Sequence, residues 1–254
     1  MMEADPTKRF SDRVDNYVKY RPTYPPEVLD YLKSECNLTE DSVIADVGAG
    51  TGIFTKLLLD QGYEVFAVEP NEQMLQSAKE QLSGYENFNA INAGAECTEL
   101  PNESVDLIVC AQSFHWFSND NTRVEFSHIL KPGGKAALIW NNRSVDTDKF
   151  SVEYDALLKN DSVDYNKVNH QNIKDLNFKV FFKDGNYTIK KFPNVQVFDE
   201  KGLIGRAFSS SYVPPQGTEA GEQFLGLLKE LFAKCNVDGK VSFHYQTEIY
   251  LGEV

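Results

Sequence analysis

The stretch from Val43 to Pro70, VIADVGAGTGIFTKLLLDQGYEVFAVEP, sets an acid, a run of spaced glycines and a second acid in order. Asp46 precedes Gly48, Gly50 and Gly52, and Glu69 stands near the end. Glycines so spaced let backbone approach a bound molecule with no Cβ in the way. A dinucleotide fingerprint requires a glycine at position 53, where the helix packs on the strand, and Ile53 stands there instead. An acid ahead of the glycines suits a different ligand, one with an amino acid moiety and no pyrophosphate. Glu69 does not separate the two chemistries, because a carboxylate accepts from two vicinal hydroxyls at once and every ribose offers them.

These residues need a strand, a tight turn and a helix to hold them. The apolar run Val43 to Val47 predicts the strand, and Ile53 to Gln61 carries apolar side chains at helical spacing before Gly62, a plausible C-cap. Val65 to Val68 predicts a second strand, EQMLQSAKEQL a helix, and Phe88 to Asn92 a short third strand. VDLIVCA, Val105 to Ala111, is apolar on both faces; the helix NTRVEFSHIL, a tight turn KPGG and a fifth strand KAALIWN follow. Strands alternating with helices predict a parallel sheet covered on both faces, with its ligand at the carboxyl ends of the strands. Upstream, Pro25 and Pro26 open a helix pattern that runs to Cys36. Beyond Asn142 the pattern loosens. Phe150 to Lys159 reads as helix, Tyr187 to Phe198 as a strand interrupted by Pro193, EAGEQFLGLLKELFAKC as an amphipathic helix and KVSFHYQTEIYLGEV as a closing strand.

Length and charge narrow the setting. A chain of 254 residues accommodates one α/β domain with a small appended lobe. The net charge of −13, with no dense cluster of Lys and Arg, argues against nucleic acid and anionic membranes as partners. No apolar run is long enough to span a bilayer, and MMEADPTKRF lacks the apolar centre of a signal peptide, so a cytoplasmic protein is the expectation. Cys36, Cys97, Cys110 and Cys235 are widely spaced, which indicates neither a zinc site nor a disulfide framework; no metal is expected.

VIADVGAGTG resembles the first motif of the class I S-adenosylmethionine-dependent methyltransferases, and the resemblance extends most specifically from Val43 to Trp140. It implies a Rossmann-like α/β sandwich: a mostly parallel seven-stranded sheet with an antiparallel C-terminal strand and helices on both faces. It implies one domain over 1–254, with a lid and helix in 1–40, a cofactor-binding core in 41–141 and a substrate-side insertion with the C-terminal strands in 142–254. In that family the turn, here Gly48, Ala49, Gly50, Thr51 and Gly52, meets S-adenosylmethionine. Asp46 would engage its methionine amino group through water, Glu69 the ribose hydroxyls and Met74 the adenine face. GAECTELPNESVDLIVCAQSFHWF is similar to the later motifs, but Gly94 and Ala95 replace the usual Asp, leaving the backbone NH of Ala95 or Glu96 as the adenine contact. The leader RVDNYVKYRPTYP and AQSFHWF together resemble type 11 and trans-aconitate methyltransferase-like proteins, in which the leader closes over the cofactor. Tyr17, Arg21 and Tyr24 are the candidates there.

A sulfonium is already activated, so methyl transfer needs alignment and exclusion of water, and a base only where the acceptor arrives protonated. Gln112, Phe114, His115 and Trp116 follow the fourth strand, where the methyl would lie; His115 is the candidate base and Gln112 and Phe114 further cofactor contacts. Trp140 and Arg143 end the fifth strand on the acceptor side, Arg143 as a seat for an anionic group. The expected activity is methylation of a small-molecule acceptor, carboxylic acids included, by a monomer or homodimer. An NAD(P)-dependent oxidoreductase and a non-catalytic S-adenosylmethionine-binding protein are the alternatives.

Overall fold

A computed structural model describes residues 19–163, 165 and 175–254. Its centre is a seven-stranded sheet in the order β3-β2-β1-β4-β5-β7-β6. The strands are β1 (Val43–Val47), β2 (Glu64–Val68), β3 (Phe88–Ile91), β4 (Val105–Ala111), β5 (Leu130–Arg143), β6 (Thr188–Phe198) and β7 (Val241–Gly252). Strands β1 to β5 pair in parallel, and β7 runs antiparallel between β5 and β6. The order reverses at β1 and β4, so the chain end of β1 opens onto the crevice where such sheets take ligands.

Burial on both faces follows from the helices: α1 (Pro26–Glu35), α2 (Ile53–Leu59), α3 (Glu72–Gln81), α4 (Asp120–Ile129), α5 (Lys149–Asp161), α6 (Asp175–Phe181), α7 (Glu200–Phe208) and α8 (Glu219–Cys235). Val28 and Leu32 of α1 and Phe54 and Leu58 of α2 pack with Leu107 and Val109 on one face. Phe126 and Ile129 of α4 and Phe178 and Phe181 of α6 pack with Ile108 and Cys110 on the other. Alternation along β4 thus feeds two separate cores, which is why its sequence is apolar throughout. A third core joins α5, α7, α8 and β7 through Tyr154, Leu203, Phe224, Leu228 and Phe243.

Four local readings change. KPGG is not a turn before the fifth strand but part of it: the register passes from Val105 opposite Leu130 to Leu107 opposite Lys135, a bulge that Gly133 enters at φ 81°. Pro193 does not interrupt β6, because β6 is the sheet edge and a missing N–H costs nothing on its open side. Helix α2 ends at Leu59 rather than Gln61, with Gly62 left-handed just beyond. Helices α6 and α7 carried no clear periodic signal; α7, with Gly202 and Gly205 in its nine residues, takes its stability from burial in the third core.

Candidate functional site

The turn after β1 is shaped by its surroundings. Gly48, Gly50 and Gly52 all have positive φ (72°, 59° and 82°). A Cβ on Gly48 would lie 2.4 Å from Ser113 Cβ, so the turn admits no side chain where the end of β4 passes beneath it. Ser113 reaches that position because Gln112 is left-handed at φ 63°, an uncommon backbone for a residue with a side chain; Ser113 Oγ then donates to Val47 O at 2.7 Å. The ends of β1 and β4 are tied together at the crevice.

Beside the turn, Asp46 is 1% exposed. Thr55 Oγ1, on α2, donates to its Oδ2 at 2.6 Å, while Oδ1 is buried with no hydrogen-bond partner among the described residues. Burial chiefly, with Glu69 adding, raises the Asp46 carboxyl to about 7. Glu69 is also buried, its Oε2 accepting from Gly50 N at 2.8 Å and its Oε1 from Asn71 N at 2.9 Å. Burial raises its carboxyl despite those two backbone donors. Asn71 caps α3 by accepting from Met74 N at 3.0 Å, which fixes Met74 next to the glycine turn.

One cavity of roughly 610 Å³ joins these groups to the rest of the site. Asp46, Glu69 and Glu96 lie along its lining, as do Gly48, Ala49, Gly50, Met74 and Ala95. Gln112, His115 and Trp116 line it from the end of β4, and Arg21, Tyr24 and Arg143 contribute as well. Most of the expected site residues are therefore brought together. Thr51 and Gly52 are buried beneath the turn and do not reach the cavity; a Cβ on Gly52 would face Leu82 at 2.8 Å. Tyr17 lies outside the described residues.

Two expected site residues point elsewhere. Phe114 is fully buried, its ring 4.5 Å from Phe181 and 6.5 Å from Trp140. Trp140 is 2% exposed among Phe114, Phe178 and Tyr250. Both belong to the core on the α4 side. Strand alternation is the cause: Trp140 projects to one face of β5, and Asn141 and Arg143 come to the cavity.

Arg143 is no surface arginine. Its side chain is 12% exposed, and Nη2 donates to Asp155 Oδ1 at 2.9 Å and to Tyr165 OH at 2.7 Å, with the guanidinium 5.0 Å from the Tyr154 ring. Asp155 also pairs with Lys159 at 2.7 Å. Burial works to raise the Asp155 carboxyl, but Lys159, Tyr165 and Arg143 outweigh it and hold it below the usual range. Burial, and then the bond to Asp155, push the Tyr165 phenol up to about 12 against the opposing pull of Arg143.

Sequence reasoning missed the wall built by the region after Asn142. Asp155, Lys159, Tyr165, Arg206, Tyr212 and Tyr245 all line the cavity. They come from α5, α7, β7 and the segments between, and no motif spacing marks them, because each is placed by packing in the third core. Arg206 is 6% exposed.

The leader meets this wall from outside. Thr23 O accepts from Asn194 Nδ2 at 2.8 Å and Asn141 Nδ2 at 3.3 Å, Tyr20 O from Gln196 Nε2 at 3.3 Å, and Arg21 Nη2 donates to Ser209 O at 3.0 Å. Tyr24 packs edge-on to Phe54, 4.9 Å between ring centres. Residues 19–25 are thus a strap from α2 across β6 to α7. Among the described residues no helix is long and apolar enough to cross a membrane, and no group of His, Cys, Asp and Glu is placed to hold a metal.

Residues 45–138 match the family model of the methyltransferase domain. An uncharacterized methyltransferase of Schizosaccharomyces pombe is 37% identical over 137 residues, 54% of this chain and 53% of that protein, so the chain spans about half the length of the curated relatives it matches. A structure from Anaeromyxobacter dehalogenans, proposed to be a type II methyltransferase, superposes with a TM-score of 0.68 at 21% identity, covering 92% of this chain and 98% of that one. A methyltransferase from Thiobacillus denitrificans, solved with S-adenosyl-L-homocysteine, covers 100% of both chains at a TM-score of 0.55 and 16% identity. These two structures share the fold of this chain.

Proposed function

We propose that the protein transfers a methyl group from S-adenosylmethionine to a small acceptor bearing a carboxylate, a reading supported by the match of residues 45–138 to the methyltransferase-domain family model and by the shared fold. One observation carries the donor side: a buried Asp46 oxygen with no hydrogen-bond partner among the described residues, beside a turn whose glycines leave room for backbone contact. An ammonium is the group that such an oxygen would hold. Asp46 would bind the amino end, Glu69 the ribose hydroxyls, Met74 the adenine face, and the backbone at Ala95 and Glu96 the adenine edge. When bound, the cofactor supplies an electrophilic methyl on a sulfonium.

The chain supplies position and a polarised cavity. Its carboxylates, Asp46, Glu69 and Glu96, border the glycine turn and β4, whereas Arg143, Lys159 and Arg206 border α5, α7 and β5, opposed there, among the described residues, by Asp155 alone. That division suits a cationic donor and an anionic acceptor in one space, and a cationic wall focuses anions into a chain whose net charge of −13 repels them elsewhere. The leader's resemblance to trans-aconitate methyltransferase-like proteins favours the same acceptor class. A carboxylate needs no base. His115 lines the cavity 4.7 Å from the Trp116 ring and serves with it as wall, taking a base's part only for an acceptor that arrives protonated. Residues 19–25 would close the rim over both ligands.

Thermal denaturation with S-adenosylhomocysteine and, separately, NADH tests the donor assignment. We expect several degrees of stabilisation by saturating S-adenosylhomocysteine and none by NADH. Stabilisation by NADH alone would overturn it.

A further inference from the structure

Arg143, the cation at the end of β5, keeps a buried Nη1 with no hydrogen-bond partner among the described residues, but its charge is already met by an acid. Asp155 and Tyr165 take its Nη2, and Asp155 offsets its charge. The second guanidinium of the same wall differs. Arg206 Nε donates to Tyr245 OH at 3.3 Å, and Nη1 to Ser210 Oγ at 3.0 Å and Ser209 Oγ at 3.5 Å. Every one of those partners is a neutral hydroxyl. Arg206 forms no ion pair with a described residue, and its Nη2 makes no hydrogen bond with one. The guanidinium lies 5.8 Å from the centre of the Phe243 ring.

A buried guanidinium without an acid is costly, since the desolvation of its charge is offset only by hydroxyl dipoles and a ring face. A fold bears that cost where the missing anion arrives as a ligand. Tyr212 reports the resulting field: burial would raise its phenol, but Arg206 first, then Arg21, the hydrogen bond with Ser210 and Arg143, together overcome burial and lower it. Tyr245 fixes the fork, donating in turn to Gln196 Oε1 at 3.1 Å, so Arg206 is oriented before any ligand enters.

We propose that Arg206 is the specificity-determining anchor of this site, receiving a carboxylate of the methyl acceptor on its uncommitted edge, with Tyr245 as its positioning residue. Arg143, its charge offset by Asp155, holds α5 to β5 and keeps only its Nη1, with the weight of a neutral contact, to offer a ligand. This rests on the methyltransferase reading above.

The test measures binding of succinate, citrate and benzoate to the protein saturated with S-adenosylhomocysteine, by isothermal titration calorimetry, with succinamide as the neutral control. At least one carboxylate should bind the natural protein and succinamide should not. Arg206→Lys should weaken that carboxylate by about tenfold, and Arg206→Met by about a hundredfold, because a charge-assisted two-pronged contact is lost. Tyr245→Phe, which keeps the ring, should weaken it a few-fold, and affinity for S-adenosylhomocysteine should stay within about twofold in each variant, since none of them borders the glycine turn. Should Arg206→Met fail to fold, Arg206→Lys and Tyr245→Phe decide alone. Undiminished carboxylate binding in the Arg206 variants, or no carboxylate binding by a natural protein that does take S-adenosylhomocysteine, overturns the assignment of Arg206. Failure to take S-adenosylhomocysteine at all overturns the methyltransferase reading instead.

Discussion

Thr55 Oγ1 donates to Asp46 Oδ2 at 2.6 Å and leaves the other oxygen of that buried carboxyl without a hydrogen-bond partner among the described residues. A helix residue thus orients an acid at the end of β1 and commits only half of its hydrogen-bonding capacity. The uncommitted half gives the donor reading its content, and it leaves a mark on stability.

The Asp46 carboxyl rises from 3.8 to about 7 on folding, mainly through burial. Between those values the folded chain keeps a proton that the unfolded chain has released, so stability should fall as pH rises from about 4 to about 7 and stay level above, by about 4 kcal/mol at most. Asp46→Asn keeps an acceptor for Thr55 and removes the titration. Denaturant titrations should find the variant level with the natural protein near pH 4 and more stable than it near pH 8. Affinity for S-adenosylhomocysteine should rise about tenfold in the natural protein between pH 6 and 8 and stay flat in Asp46→Asn, because an ammonium is held by the ionised form. An unchanged slope in the variant would assign the pH dependence elsewhere.

Asp155 carries the opposite sign. Its folded carboxyl lies below the usual range, so its contribution is complete above the unfolded value near 4 and disappears as pH falls through the lower, folded one. Asp155→Asn leaves Arg143 buried without its acid, at a cost of about 3 kcal/mol, the low end for a broken buried pair because the cavity admits water. Equilibrium unfolding at neutral pH measures it. A cost under about 0.5 kcal/mol would put this pair with the surface ion pairs.

The strap depends on one small residue. A Cβ on Gly205, in α7, would lie 2.1 Å from Tyr20 Cε2, a distance no packing tolerates. Gly205→Ala should expel Tyr20 from α7 and expose the segment around residues 19–25 to protease, even though alanine is the better helix former. Tyr20→Ala in the same chain should recover helix stability by removing the clash, giving a coupling of about 1 kcal/mol or more in a double-mutant cycle. Simple additivity of the two substitutions would mean that the strap is not seated on α7.

Legibility varied along the chain for physical reasons. Residues 43–70 were readable because strand, left-handed glycines and helix are each set by neighbours within a few positions; β1, the turn and β2 formed as expected, α2 ended two residues early, and Ile53 departs from the dinucleotide pattern that shares this topology. Gly48 goes further, since its role depends on Ser113 arriving from β4, which spacing does not reveal. Phe114 and Trp140 were misplaced because an aromatic residue beside a strand end suits a core and a binding wall equally, and only the facing rings of Phe178 and Phe181 decide between them. The region after Asn142 was least readable: α7 is held by the core it enters, and the partners of Arg206 include Tyr245 on a distant strand.

The sequence by itself determined the parallel α/β core, the glycine turn, its two acids and the rejection of the dinucleotide pattern, because those depend on backbone preference and local order. Only the tertiary structure decided which acid keeps an uncommitted oxygen, which arginine of the cavity meets an acid among the described residues and which does not, and which aromatic residues face the cavity. Charge compensation and burial are properties of groups that meet across the fold, and Arg143 and Arg206 look alike until Asp155 is found beside only one of them.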